Sequence, residues 1–208
     1  MTLSYHNDPA IKAFHVAQAK HHYEADMLRA GTYGLGNGDA FRGCSIGCMA
    51  HDIQPDASHN LHAIVAQHAG WPEWLARLND AIFEGLPKGQ RERFHVDLRE
   101  AIPVGVDLEP VRHRLAMRRI DRLIALQNGN AGKHGEDIDA VITQTIEALT
   151  QVRRCHEAKI GGNVCDWAEA AEAAAWSAAA AAREAVAAAW EQEASDLLDL
   201  LRSIEETV

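Results

Sequence analysis

The amino-acid sequence predicts an all-α protein, a multi-helix array or bundle that ends in a long alanine-rich helix. Three observations predict it. Apolar residues recur at three- and four-residue spacing in most segments of the 208-residue chain, which is the period of a helix with one buried face. Proline and glycine stand where helices would begin and end. Alternating β-branched runs bounded by turn residues, the pattern of strands, are essentially absent.

The first helix is predicted to begin at Asp8-Pro9 and to end at Gly31. Its inward stripe is polar in the middle, so Gln18 and His22 would face the body of the protein. Further helices are predicted over about Cys44–His51, from Asp56 or Ser58 to Gly70, from Pro72 to Gly85, over about Gln90–Ala101 and from Glu109 to about Gln127.

The stretch Asn128–Gly135, with glycine three times in eight residues, is the best internal boundary. It separates a predicted N-terminal part, residues 1–127, from two long C-terminal helices, residues 136–208. We expect the two parts to pack together as one globular unit.

The last helix is predicted to run from about Asn163 to about Thr207. In it, 16 of the 27 residues from Ala168 to Ala194 are alanine, which has the highest intrinsic helix propensity. Such small side chains favour a packed structural helix or, alternatively, a close-packed helix pair that makes a homodimer.

The bulk composition excludes several classes of protein. Hydrophobic residues make up 47% of the chain and charged residues 24%, which is ordinary for a globular protein. The formal net charge of −10 argues against general nucleic-acid binding. We expect no membrane span and no signal peptide. Four irregularly spaced cysteines do not form the pattern of a disulfide framework, so we expect a cytoplasmic protein with reduced thiols.

Unusual residues concentrate between Gly31 and His51. Five of the thirteen residues from Gly31 to Gly43 are glycine, which allows backbone amides to converge, and a helix that begins near Cys44 adds its own free N–H groups. Arg42 offers a planar donor fork to a phosphate or carboxylate, and Gly47 leaves room for a ligand to approach. No P-loop or dinucleotide fingerprint is present. The alternative is a flexible surface loop without a site.

The short helix after this loop, which we call the cysteine helix, carries Cys44, Cys48 and His51 at positions i, i+4 and i+7, and so on one face. These side chains are candidate zinc ligands, completed by His22 or Asp26 from the first helix. Alternatively, Cys44 is a nucleophile whose thiolate the helix N-terminus stabilises, with His51 or His22 as base. The third interpretation is that both cysteines are small buried apolar residues.

Four segments carry a resemblance to other proteins. They are Gly43–Cys48, Trp74–Leu78, Ile82–Pro87 and Ala101–Leu108. In these segments the chain resembles an uncharacterised family of bacterial and phage proteins with a helical N-terminal part and an alanine-rich, tryptophan-dotted C-terminal helix. The resemblance implies the same arrangement here and brings no established activity. A phage setting would favour proteins that disarm host defence by capturing or destroying nucleotide signals.

Three functional hypotheses follow. The first is that the protein binds and sequesters a small anionic, nucleotide-derived ligand, as a phage counter-defence protein, between the first helix, the glycine-rich loop and the cysteine helix. There Tyr33 or Phe41 would stack on a base and Arg42 would pair with phosphate. His22 and Asp26 would contact polar groups of the ligand. The second is a hydrolase of a similar ligand that depends on a metal or thiolate in the cysteine helix. The third is a protein-binding immunity or inhibitor module.

Overall fold

A computed structural model describes residues 2–165 and 186–205 of the chain. The prediction of an all-α fold is confirmed. The described residues form eight α-helices, and their only β-type pairing consists of two isolated bridges, Leu28–Gly43 and Leu35–Arg42. None of the described helices combines the length and the apolar composition needed to cross a bilayer. Residues 166–185, on which the prediction of one long alanine-rich helix depends, lie outside the described residues.

The helices are numbered α1 to α8 in chain order. Their bounds are α1 Pro9–Glu24, α2 Ser45–Ile53, α3 Leu61–Ala69, α4 Glu73–Gly85, α5 Gln90–Ala101, α6 Glu109–Asn130, α7 Glu136–Ile160 and α8 Val186–Glu205. The bounds of α4 and α5 agree closely with their predictions because prolines and glycines delimit both helices in the sequence.

The first helix is shorter than predicted. It ends at Glu24 rather than just before Gly31, because Asp26 has a φ of 49°, a left-handed conformation that an α-helix does not continue through. The chain then becomes extended, and the Arg29 N–H donates to the Gly43 carbonyl at 2.7 Å. Aspartate tolerates the left-handed region better than most residues, but it gives a weaker stop signal than glycine.

The chain divides into two compact units. Unit 1 comprises Met1–Glu109 and Ala187–Val208, and unit 2 comprises Pro110–Val186. The stretch Asn128–Gly135, which the sequence suggests as a boundary, includes the turn between α6 and α7 inside unit 2. Every residue of the predicted binding site belongs to unit 1.

The described part of the last helix packs within unit 1. Leu197 and Leu201 on α8 are fully buried. The Trp190 ring lies against the end of α4, where a Cβ atom on Gly85 would come within 2.3 Å of that ring. Glycine at this position therefore permits the close approach of α8. The leucine-rich end of the last helix thus stabilises unit 1, and a homodimer through this helix stays a prediction.

Unit 2 contains a disulfide, so the expectation that all four cysteines are reduced is wrong for two of them. Cys155 on α7 is bonded to Cys165, with their Cα atoms 5.3 Å apart. The chain reverses after α7 at Gly161-Gly162, and the φ of 73° at Gly162 is one that glycine adopts without steric cost. This turn brings Cys165 back to α7. The spacing of the cysteines in the sequence does not reveal that the two residues meet.

Candidate functional site

The Gly31–Gly43 loop is held by backbone hydrogen bonds. Leu35 and Arg42 exchange two N–H···O bonds of 2.8 Å, and the Cys44 N–H donates to the Thr32 carbonyl at 2.7 Å. The loop is therefore a small folded hairpin attached to the start of α2, rather than the flexible surface loop that is the alternative interpretation of the sequence.

Gly47 allows this loop to lie directly on α2. A Cβ atom at Gly47 would be 1.7 Å from the Tyr33 carbonyl oxygen, a distance that no side chain can accept. The space that the sequence suggests for a ligand is thus filled by the backbone of Tyr33. Glycine here serves close packing of loop and helix.

The eight predicted ligand-binding residues do not converge on one site. Asp26 and Arg42 line one pocket, whereas Tyr33, Phe41 and His51 line a second. His22 and Cys48 are buried and line neither pocket. Cys44 caps the N-terminus of α2. Neighbouring residues of an extended chain point to opposite sides, which is why Phe41 and Arg42 line different pockets.

The pocket lined by the aromatic residues has a volume of about 270 Å³. The Phe41 and His51 rings stack on each other with their centroids 3.9 Å apart and their planes 3° apart. The Tyr33 side chain is 49% exposed, and its hydroxyl donates to Asp80 Oδ2 at 3.1 Å. One face of Phe41 is therefore already covered by a protein ring, which reduces what it can offer to a nucleobase.

The second pocket is larger, about 440 Å³, and its lining is mainly charged. The charged side chains are the cations Arg29, Arg42, Lys88 and Arg91 and the carboxylates Asp26 and Glu92. We call it the basic pocket. It lies where α5 begins, and the N-terminal end of a helix adds positive potential. A local excess of positive charge contrasts with the formal net charge of −10 of the whole protein.

Three of the four cations in the basic pocket form no ion pair or side-chain hydrogen bond in the described part of the chain, although the Arg91 guanidinium lies over the Phe83 ring, 5.9 Å from its centroid. None of the ion pairs or side-chain hydrogen bonds found there involves the side chain of Arg29, Lys88 or Arg91. The Arg91 Nε–H is buried and meets no acceptor. Arg42, in contrast, donates to the Phe41 carbonyl at 2.7 Å.

Cys44 belongs to a separate group of side chains, which we call the cysteine cluster. Its thiol donates to Asp80 Oδ1 at 3.2 Å, and His62 Nε2 lies 3.0 Å from Asp80 Oδ2, the oxygen that also accepts from Tyr33. Glu84 is one turn further along α4. Among the described residues, Cys44, Asp80 and Glu84 form the only set of metal-type ligands whose atoms all lie within 4.8 Å of one another.

The predicted zinc ligands Cys44, Cys48 and His51 are not brought together. The Cys48 thiol points to the carbonyls of Gly43 and Met27, whereas the Cys44 thiol points to α4. Cys44 is the N-cap of α2, with a φ of −68° and a ψ of 177°, so the rule that residues at i and i+4 share a helix face does not apply to it.

The prediction that the helix N-terminus activates the Cys44 thiol is wrong. Burial, followed by the Asp80 carboxylate, raises the pKa of this thiol well above its usual value. The Gly47 N–H donates to Sγ at 3.4 Å and acts in the opposite direction, but it is outweighed. Neither of the predicted bases contacts Cys44, since His51 stacks on a phenylalanine and His22 lies in the core. Burial and the Asp80 carboxylate therefore favour the protonated form of the Cys44 thiol.

His22 is part of a buried polar network. Its Nδ1 lies 3.2 Å from His95 Nε2, and its Nε2 lies 3.1 Å from a carboxylate oxygen of Asp52. His95 Nδ1 in turn lies 2.9 Å from Ser45 Oγ. Ser45 and His95 are fully buried. A substrate therefore has no access to the Ser45 hydroxyl, and the chain of hydrogen bonds connects protein groups only.

Arg99 lies at the centre of this network and is fully buried. Its guanidinium donates to Ser45 Oγ at 2.8 Å, to the His95 carbonyl at 2.6 Å and to Asn79 Oδ1 at 3.3 Å. None of the ion pairs among the described residues involves Arg99. Burial lowers the pKa of Arg99 to about 10. Burial, together with Arg99 and His22, lowers the pKa of His95 well below its usual range.

Sequence reasoning missed the residues that α3, α4 and α5 supply. Asp80 and Glu84 stand at i and i+4 on α4, a spacing that places both carboxylates on one helix face and is visible in the sequence. Lys88 and Arg91 flank the predicted start of α5 and were visible too. Nothing in the linear sequence shows that these segments meet the loop after α1, because that depends on how the helices pack.

Comparison with protein-family models, with curated proteins and with solved structures finds no match to the chain.

Proposed function

We propose that the protein binds and holds a small polyanion, bearing phosphate or carboxylate groups, in the basic pocket. One observation carries the proposal. Arg29, Lys88 and Arg91 form no ion pair or side-chain hydrogen bond with the described residues and line one cavity of about 440 Å³. Guanidinium groups bind phosphate and carboxylate through paired hydrogen bonds, and lysine adds a compact charge.

The other lining residues narrow the class of ligand. Among the described residues no aromatic side chain lines the basic pocket, so charge rather than base stacking supports the proposal. The Asp26 carboxylate can accept a hydrogen bond from a hydroxyl or amino group of a ligand, whereas the Glu92 carboxylate already accepts the Gly89 N–H as part of the cap of α5. A phosphorylated small molecule with hydroxyl groups, including a nucleotide, fits this combination. The lining that the described part of the chain provides also lacks histidine, cysteine and hydroxyl side chains, which favours binding over catalysis.

Isothermal titration calorimetry with inorganic pyrophosphate and with adenosine monophosphate tests the proposal. We expect one binding site per chain, with an affinity that falls between low salt and about 0.15 M salt because screening weakens partly exposed charges. The double variant Arg29→Ala/Lys88→Ala should weaken binding at least about tenfold, since a hydrogen bond to a charged group contributes about 1.5–3 kcal/mol.

The matched control is the double variant Arg77→Ala/Arg93→Ala. It removes the same total charge from exposed positions, where these arginines pair with Glu73 and Asp97. We expect it to change the affinity less than about twofold, because surface ion pairs contribute little. Absence of binding by both probes at millimolar concentration, or equal losses in the two double variants, would overturn the proposal.

A further inference from the structure

The cysteine cluster combines a buried thiol with two carboxylates that no lysine or arginine neutralises. Asp80 and Glu84 take part in no ion pair with a lysine or arginine in the described part of the chain. Their oxygens lie within 4.8 Å of each other and of Cys44 Sγ. Two neighbouring carboxylates repel each other, and a bound cation would remove that repulsion.

We propose that Cys44, Asp80 and Glu84 form a binding site for a divalent transition-metal ion of the zinc type. Sulfur with carboxylate oxygen is a donor set that zinc accepts, whereas magnesium and calcium prefer oxygen alone. The proposal concerns a different ligand and different side chains from the basic pocket, so either can fail without the other.

The present distances are close to those that a metal needs. Zinc lies about 2.3 Å from a cysteine sulfur and about 2.0–2.2 Å from a carboxylate oxygen, which in tetrahedral geometry places these two atoms about 3.6 Å apart. Cys44 Sγ and Asp80 Oδ1 are 3.2 Å apart. Because the metal binds the thiolate, the Cys44 thiol proton would pass to solvent as the metal–sulfur bond forms. A small outward movement of the exposed Glu84 side chain or of Cys44 would bring the donor atoms to these distances.

Asp80 is already oriented as a metal ligand would be. His62 Nε2 lies 3.0 Å from Oδ2, and the Tyr33 hydroxyl donates to the same oxygen at 3.1 Å. These two contacts fix the carboxylate and leave Oδ1 turned to Cys44. Outer hydrogen bonds of this type orient metal ligands, and their loss typically lowers metal affinity 10- to 100-fold.

Glu84 is held as well. One of its carboxylate oxygens accepts the Gly31 N–H at 2.8 Å, which fixes the side chain at the beginning of the glycine-rich loop. The ligands thus come from the N-cap of α2 and from one face of α4, with His62 from α3 supporting them. Ligands on separate rigid helices give a metal site defined geometry.

The test is a titration of the metal-free full-length protein with Co²⁺ alone and with Zn²⁺ alone. Co²⁺ bound to a thiolate gives a sulfur-to-metal charge-transfer band in the near ultraviolet. We expect this band at one equivalent of Co²⁺, its loss on addition of Zn²⁺, and its absence in Cys44→Ser. Glu84→Gln changes an exposed residue and should keep the fold; we expect it to weaken Co²⁺ binding at least about tenfold.

The matched control is Cys48→Ser, which removes the other buried thiol of the same helix. It should keep both the band and the affinity. Absence of the band in the unmodified protein would overturn the proposal. So would a band that survives Cys44→Ser but disappears in Cys48→Ser, because that result would return the metal to the set predicted from helical spacing.

Discussion

Arg91 and Arg99 lie on the same helix and have opposite surroundings. Arg99, in the last turn of α5, is fully buried, and its terminal nitrogens donate to acceptors from three parts of unit 1, although its Nε–H, like that of Arg91, meets no acceptor. Arg91, in the first turn, lines the basic pocket; its guanidinium lies over the Phe83 ring, and its terminal nitrogens meet no acceptor among the described residues. Where protein groups satisfy an arginine, it holds the fold together. Where its terminal nitrogens meet no protein acceptor, they can donate to a ligand.

The buried network also explains how the cysteine cluster is positioned. Ser45 and Asn79 are hydrogen bonded to each other at 3.0 Å and to Arg99, and they tie α2 to α4. The residues next to them in sequence are Cys44 and Asp80. The hydrogen bond between Ser45 and Asn79 therefore holds the neighbouring positions together, and these bring the buried thiol of Cys44 to the carboxylate of Asp80.

The strongest test of the comparison removes each arginine in turn. Arg99→Ala should lower the free energy of unfolding by about 3 kcal/mol or more, because it leaves a cavity and several buried acceptors without a donor, each costing about 1–3 kcal/mol. Arg91→Ala should lower it by less than about 1 kcal/mol. Urea denaturation followed by tryptophan fluorescence measures both, and similar losses would mean that the two surroundings do not differ as described.

Acidification should lower the free energy of unfolding through the buried His15. Burial, followed by His68 and Arg99, lowers the pKa of the buried His15 to about 3. Because this folded-state pKa lies below the unfolded value near 6.5, the unfolded chain binds more protons between these two values. The stability from His15 is complete above about pH 6.5 and falls as the pH drops, by up to about 1.4 kcal/mol per unit.

Urea denaturation repeated between neutral pH and about pH 4 measures this slope. The variant His15→Phe keeps a ring among Tyr5, Phe14 and Trp71, which surround His15, and removes the titrating group. It should be less sensitive to acid than the unmodified protein. An unchanged slope in His15→Phe would show that His15 does not contribute to the acid sensitivity.

Local signals in the sequence predicted the helices well and the site poorly. Pro72 and Gly85 mark the ends of α4 in the sequence prediction and in the structure, since proline and glycine act on the backbone within a few residues. The early end of α1 was missed because Asp26 takes a left-handed conformation without a glycine. The all-α class follows from such local periodicity and does not depend on how the helices pack.

The candidate site depends on contacts between segments distant in sequence. Cys44 was a candidate in the sequence, but its partner Asp80 is 36 positions away, and helical spacing suggested Cys48 and His51 instead. Arg42 was a candidate anion ligand, and it does line the basic pocket. No pattern within the glycine-rich loop indicates that Lys88 lies beside it.

The smallest expected effect concerns the acidic side of the basic pocket. Asp26→Asn removes one negative charge among four cations and suits the φ of 49° at this position, since asparagine also adopts the left-handed region readily. Stability should change by less than about 0.5 kcal/mol. Pyrophosphate should bind about two- to fivefold more tightly at low salt, because the charge that is lost repels the anion by about 0.5–1 kcal/mol.

Binding of adenosine monophosphate to Asp26→Asn distinguishes the effect of the Asp26 charge from that of a hydrogen bond between Asp26 and the ligand. If the Asp26 carboxylate accepts a hydrogen bond from a ribose hydroxyl, Asp26→Asn should improve the binding of adenosine monophosphate less than that of pyrophosphate, since an amide oxygen is a weaker acceptor than a carboxylate. Equal gains would mean that Asp26 acts through its charge alone. Weaker binding of pyrophosphate in the variant would contradict the assignment of the pocket to anions. Pyrophosphate has no ribose hydroxyl that could lose a hydrogen bond to Asp26, so the variant should only remove repulsion.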